Sequence, residues 1–397
     1  MSTVSVNSLD LLPPPVTRTI QHRSLVVGVV FGIISALFAF FVPDQFFRSY
    51  LLGYMVWLGL TLGCIGFLML LHMTGGAWGL VIRRMLEAGT RTLPLMVVLF
   101  VPVVLGLRRL YVWTHADAVA KDERVKALTQ TYLTSGGFIG RAILYFAIWG
   151  FLVYLLNRWS AEQDNPPTRD LPKLRKTSAA GLILYAFAMS FAAIDWVMSL
   201  TPPWISTIYA MIYLVGQCLA AMCFMVVVET ILHRYKPISM LLKPREVQDH
   251  GKLMLTFVML WAYFSFSQLL IIWSGNLPDE ISFYVRRFHG GWQVVGLFLA
   301  AFHFALPFLL LLSRNLKRNP RILVWVALWL MFMRYVNLYW FIEPNFHQMF
   351  YWHWLDGAIP IAIGGFWLAL FFHNLQGHPL LPLYAPRARA LLEPAHD

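Results

Sequence analysis

The stretch SYLLGYMVWLGLTLGCIGFLMLLHM, residues 49–73, holds no Asp, Glu, Lys or Arg, and its one histidine, His72, stands at the end. As a helix rising about 1.5 Å per residue it would reach beyond the roughly 30 Å of a bilayer's hydrocarbon core. Lipid offers the backbone no hydrogen-bond partner, so a segment of this kind crosses only as a helix or inside a closed barrel. Nine further apolar stretches follow the same pattern, at 24–42, 92–107, 137–157, 178–201, 205–232, 253–274, 291–313, 322–342 and 357–373. The third in chain order, 92–107, is short and contains Pro94 and Pro102. The sequence predicts an all-α polytopic membrane protein with ten transmembrane helices.

Composition agrees with that reading. The chain is 59% hydrophobic and 13% charged, with a formal net charge of +12. A balance this basic can signal nucleic acid, but the placement of the charges argues otherwise. With the N-terminus set in the cytoplasm, the Lys and Arg residues number 2 in the N-terminal tail and 3, 5, 5 and 4 in the 2–3, 4–5, 6–7 and 8–9 loops, with 2 more in the C-terminal tail. That is 21 on one face against 8 on the other, with Arg141 and Arg334 inside spans. The asymmetry is the positive-inside pattern and puts both termini in the cytoplasm, with a basic face toward anionic headgroups and no nucleic-acid partner.

The reading is of one integral membrane domain over 1–397, with tails at 1–22 and 376–397, spans 1–5 within 23–201 and spans 6–10 within 202–375. The polar first 22 residues do not read as a cleavable signal peptide. A short outer helix is expected around Lys121–Thr129 in the 108–136 segment, and a Pro-rich linker at 157–177. The Thr201–Ile205 turn makes spans five and six a tight hairpin. Gly59 and Gly63, and Gly364–Gly365, are small-residue contacts of the kind that let helices approach in lipid. Cys64, Cys218 and Cys223 fall in apolar spans, form no CxxC pair and read as packing residues.

An ionisable side chain at bilayer depth costs about 2.5–3.5 kcal/mol on insertion scales and calls for a partner or a wet cavity. Six such residues stand out. His72 shares a face with Thr61, Cys64 and Leu68; Asp195 is followed one turn later by Ser199; Glu229 sits in the last turns of span six and Lys252 opens span seven; His303 and Arg334 lie near the middle of spans eight and nine. Span seven adds Tyr263, Ser265, Ser267 and Gln268. His72, Glu229 and Lys252 lie close enough to an interface to snorkel, and Arg141 is expected to reach the headgroups. Pro307 frees the carbonyl of His303 and predicts a kink. The set divides between spans two to five and six to nine, a distribution suited to broken chains of water that carry protons. His72 and His303 sit at different depths, which argues against haem. The spacing of His347, His353 and Asp356 matches no metal motif, and Trp352 and Trp354 read as an interfacial belt. No redox centre is expected in this chain.

Several long motifs carry a resemblance. They are HMTGGAWGLVIRRMLEAGTRTLPL (72–95), YFAIWGFLVYLLNRWS (145–160), IDWVMSLTPPWISTIY (194–209), WAYFSFSQLLIIWSGNLPDE (261–280), RRFHGGWQVVG (286–296) and FALPFLLLLSRNLKRNPR (304–321). The chain resembles, from 49 to 343, the ActF-type membrane subunits of bacterial alternative complex III, which belong with the NrfD/polysulfide-reductase-like subunits. The resemblance implies two four-helix bundles, spans 2–5 and 6–9, flanked by spans 1 and 10, in the bacterial inner membrane. It implies a subunit of a quinol:cytochrome c oxidoreductase that acts as scaffold and proton path. Its partners would be a quinol-binding NrfD-like subunit, an iron–sulfur subunit and multihaem and monohaem cytochromes c, with a terminal oxidase as a further one. Haem c and iron–sulfur clusters would then sit in partner subunits. A quinol-binding subunit and a stand-alone secondary transporter are the competing readings.

The topology has a direct test. A single cysteine introduced into the 157–177 linker should resist a membrane-impermeant thiol reagent added from outside, and one in the 108–136 loop should react. The reverse pattern would invert the charge assignment.

Overall fold

A computed structural model describes residues 13–76, 78–162, 172–202 and 204–381. Among these residues ten helices are long and apolar enough to cross a membrane. They are α1 (Val16–Phe41), α2 (Pro43–Thr74), α3 (Trp78–Leu105), α4 (Ser135–Glu162), α5 (Pro172–Leu200), α6 (Thr207–Leu232), α7 (Pro244–Gly275), α8 (Trp292–Leu312), α9 (Pro320–Asn345) and α10 (Trp354–Gln376). Most of the two tails and the middle of the 157–177 linker lie outside the described residues.

The third stretch departs from the sequence reading. It starts at Trp78, not near 92, so the expected 2–3 loop is largely helix. Its charges permit this because Glu87 stands four residues from Arg83 and three from Arg84, where side chains meet on one helix face. Those arginines therefore leave the tally of loop charges. Pro94 and Pro102 each open a new helical piece, splitting α3 into Trp78–Thr90, Leu93–Val98 and Val101–Leu105. The 6–7 loop is also shorter than expected, because α7 begins at Pro244, two turns before Lys252. The outer helix appears as Ala116–Lys121 and Glu123–Thr131, the second capped by Asp122, whose side chain accepts from the Arg124 amide at 2.9 Å. In place of a simple kink, Pro307 follows a π-helical turn at Ala300–Ala305, with His303 inside it.

Helices α2 and α6 form the centre. In each, 83% of the most apolar window is buried, against 11% in α1. In hydrocarbon, apolar surface gains little by moving from lipid to protein, so close packing has to supply the attraction. Small residues make that possible. Gly63 of α2 lies against the backbone of Gln217 in α6, where a Cβ would overlap the Gln217 carbonyl. Gly28 of α1 faces α10, where a Cβ would come within 2.8 Å of the Phe366 amide nitrogen. Around this centre α2 packs on α3 and α5, and α4 on α5; α6 packs on α7 and α9, and α8 on α7 and α9. Helix α10 lies against both α2 and α1.

The α2–α6 contact predicts that Gly63→Ala should cost about 1–3 kcal/mol, because backbone, not a movable side chain, blocks the methyl. Gly150→Ala, with nothing within 4 Å of its Cβ, should leave the thermal unfolding midpoint essentially unchanged. Equal behaviour of the two variants in detergent would contradict the packing.

Candidate functional site

The interior polar groups gather at the two ends of the helix assembly, with a smaller set between. At the end where α2 finishes, His72 places Nδ1 3.1 Å from the Ser178 hydroxyl of α5. Nearby in α3, Glu87 is buried and receives Arg83 Nε at 3.0 Å, Arg84 Nη1 at 2.7 Å and the Ser160 hydroxyl of α4 at 2.5 Å. Two guanidinium groups and a hydroxyl thus surround one carboxylate, which compensates its loss of water. The sequence reading missed this cluster because it counted the arginines as loop charges. The signal was the RRMLE spacing, which turns the pairs onto one face.

Glu229 is fully buried and does not reach an interface. Its partner is His250 of α7, whose Nδ1 lies 3.0 Å from Oε1 and 2.8 Å from Oε2. The other ring nitrogen, Nε2, donates to the Trp78 carbonyl at 2.8 Å. Lys252 instead points outward, paired with Asp249 at 2.7 Å.

At the opposite end, Asp195 is held by a bidentate pair. Arg141 Nε donates to Oδ2 at 2.8 Å and Nη2 to Oδ1 at 3.0 Å, while the Tyr145 hydroxyl donates to Oδ2 at 2.7 Å. Ser199 donates to the Asp195 carbonyl. Arg141 therefore faces inward and does not snorkel to the headgroups. It also lies over the Tyr132 ring, 3.8 Å from its centroid. Burial, and then the Asp195 charge, push the Tyr132 hydroxyl up to about 12, so it stays protonated at any physiological pH. An apolar cavity of about 190 Å³ adjoins, lined in part by Tyr132, Ser199 and Trp204.

The same end carries Gln268, whose Oε1 accepts from Ser206 at 3.1 Å and whose Nε2 donates to the Tyr284 hydroxyl at 3.3 Å. Arg287 is buried in a cage of carbonyls from Phe283, Trp340 and Phe341 at 2.8–3.0 Å. Those oxygens belong to the C-terminal turns of two helices, whose dipoles favour a cation. Burial lowers its pKa to about 9, which leaves the guanidinium charged at neutral pH. Asp356 is spent on structure. It accepts from Ser49 at 2.5 Å, Gln45 at 3.0 Å and the His353 amide at 2.9 Å, the last completing a capping box at the start of α10.

Between the ends lie Tyr185 and Gln217, joined at 2.5 Å, and the Arg334 group. Arg334 donates to Asn337 Oδ1 at 2.8 Å and to the Tyr213 carbonyl at 3.3 Å, both neutral oxygens. His303 is fully buried, stacks on Trp261 at 4.2 Å and leaves both ring nitrogens without a hydrogen bond. Tyr263 is mostly exposed on the outer side of α7, and Ser267 is half-buried without a link to the others. An apolar cavity of about 220 Å³ reaches Arg334, with Trp57, Tyr335 and Pro360 in its wall. Among the described residues no group of three or more His, Cys, Asp and Glu side chains could hold a metal. No family model and no curated protein matches this chain.

The Arg141–Asp195 clasp makes a stability prediction. Arg141→Ala leaves a fully buried carboxylate with only the Tyr145 hydroxyl and should destabilise by up to about 3–5 kcal/mol, discounted because Arg141 is partly exposed. The double variant Arg141→Ala/Asp195→Asn should recover part of that loss in thermal unfolding. Additive losses would mean that the two side chains do not interact.

Proposed function

We propose that this chain is an integral subunit of a respiratory quinol:cytochrome c oxidoreductase of the alternative complex III type, ActF-like in role. In this reading it is a scaffold and a proton-conducting path without a redox centre of its own. It sits in the bacterial inner membrane with both termini cytoplasmic. Helices α2–α5 and α6–α9 act as two four-helix bundles, with α1 and α10 at their side. Removing Arg83, Arg84 and Arg91 from the loop tally leaves the charge asymmetry at 18 to 8, which still supports that orientation. The partners are a quinol-binding sister subunit, an iron–sulfur subunit and cytochromes c, which carry the haem and the clusters.

One observation carries the proton-path reading. Along α5, Ser178, Tyr185 and Asp195 each join a polar partner from another helix, so interior groups recur from one end of the first bundle to the other. At about 1.5 Å per residue the steps are roughly 10 Å and 15 Å, too long for direct transfer and short enough for a few waters. In this reading His72 and Asp195 mark the two ends of the line, and Tyr185 with Gln217 bridges the middle. In the second bundle Glu229 stands near one end, His303 and Arg334 in the middle, and Gln268 near the other. Lys252 and Tyr263, which face outward, serve as entry groups at most.

A second reading draws on one feature. The cavity beside Arg334, apolar with an aromatic wall and one cationic donor, has the character of a quinone site. The two readings part in kinetics. In reconstituted complex, His72→Gln and Tyr185→Phe should lower proton movement several-fold while quinol oxidation stays near wild type. A raised quinol KM in Arg334→Gln, with proton movement unchanged in the first two variants, would favour the quinol-site reading and contradict the proton path.

A further inference from the structure

The pair formed by Glu229 and His250 has a hydrogen-bond arithmetic that fixes its proton content. Both side chains are fully buried. A carbonyl oxygen can only accept, so His250 Nε2, 2.8 Å from the Trp78 carbonyl, must carry a hydrogen. The other nitrogen, Nδ1, faces the Glu229 carboxyl at 2.8 and 3.0 Å. With Nε2 already protonated, that contact is a hydrogen bond only if one more proton lies in it, on nitrogen or on oxygen. In either form the pair is neutral overall, which suits its burial. Without that proton the pair would be a lone buried anion. The hydrogen bond runs to Oε1 at 3.0 Å, whereas Oε2, although 2.8 Å from Nδ1, is left without one.

We infer that Glu229 and His250 form a proton-loading dyad, holding one transferable proton in the Nδ1–carboxylate contact and exchanging it with solution at the end of the protein where α6 finishes. Three elements pack around it. Helix α6 supplies Glu229, α3 supplies the Trp78 carbonyl that fixes the tautomer, and α7 supplies His250 with Asp249 beside it. Asp249 is held at 2.7 Å by Lys252, and both reach solvent. They place charged, solvent-reaching groups at the same end of α7 as the dyad. Further along the same face of α7 the buried residues are Met254 and Val258, with no polar side chain before Trp261. An apolar stretch of α7 thus separates the dyad from the polar groups deeper in the second bundle. The transfer itself is balanced: a hydronium delivers a proton to the empty pair and a water recovers it later, with no bond broken except O–H or N–H. This inference rests on the proton-path reading for its purpose, and its proton content can be tested without the partner subunits.

The test uses the full chain in lipid nanodiscs with ¹⁵N-labelled histidine rings, His250→Gln identifying the signal. His250 should show protons on both ring nitrogens at neutral pH, with the Nδ1 proton exchanging with water. Glu229→Gln should remove the second ring proton and leave the Nε2–H in place. A singly protonated His250 beside an ionised Glu229 in the wild type, or a signal unmoved by Glu229→Gln, would overturn the dyad, as would a proton in that contact that never exchanges. Should either single variant fail to fold, Glu229→Gln/His250→Gln restores a neutral hydrogen-bonded pair. Recovery of folding in that double variant supports the stated pairing; no recovery contradicts it. Failure of proton movement in the assembled complex would count against the function proposed above and leave this readout intact.

Discussion

A charge buried among apolar helices has to be cancelled within reach of its own side chain, and that constraint organises the interior of this protein. Asp195, Glu87 and Glu229 each have no access to solvent, and each draws its compensation from a different helix or a different turn. Arg141 crosses from α4 to α5, the arginines of α3 bracket Glu87, and His250 reaches from α7 to α6. Arg287 shows the complementary solution, a cation caged by the carbonyl ends of two helices. Each arrangement fixes a helix position more tightly than apolar packing alone, because losing one partner leaves the other stranded in a low dielectric.

Length and hydropathy made the helices legible. A run such as 49–73 has few alternatives once lipid denies its backbone a partner, and the ten spans follow. Charge placement was read with a blind spot. Arg83 and Arg84 look like loop residues to a count of charges, and only the three- and four-residue spacing to Glu87 shows that a helix can absorb them. Arg141 is illegible for a related reason: an arginine near a helix end is usually interfacial, and its fork onto Asp195 depends on how α4 and α5 are rotated. His250 was passed over because it lies in a stretch rich in charges. Its partner is 21 residues away in sequence and its second acceptor is a backbone carbonyl, neither of which a sequence pattern encodes.

The same constraint separates interior candidates from bystanders. Glu229, Asp195, His303 and Arg334 are enclosed, whereas Lys252 and Tyr263 are turned outward. Proton conduction needs enclosed groups that can gain and lose a proton and gaps that water can bridge. Haem or metal chemistry would need convergent ligands instead. His303 is enclosed and stacked on Trp261, and both its ring nitrogens are left without a hydrogen bond.

We propose that this chain works inside a quinol-oxidising assembly. The most direct measurement is affinity purification of the tagged full-length chain from native membranes in mild detergent, with the haem spectrum and subunit ratios of the product recorded. The account predicts that it purifies in fixed ratio with c-type cytochromes, an iron–sulfur subunit and a sister membrane subunit, and that the preparation oxidises quinol. A chain that purifies by itself, free of haem c and unable to associate with any quinol-oxidising activity, would contradict it.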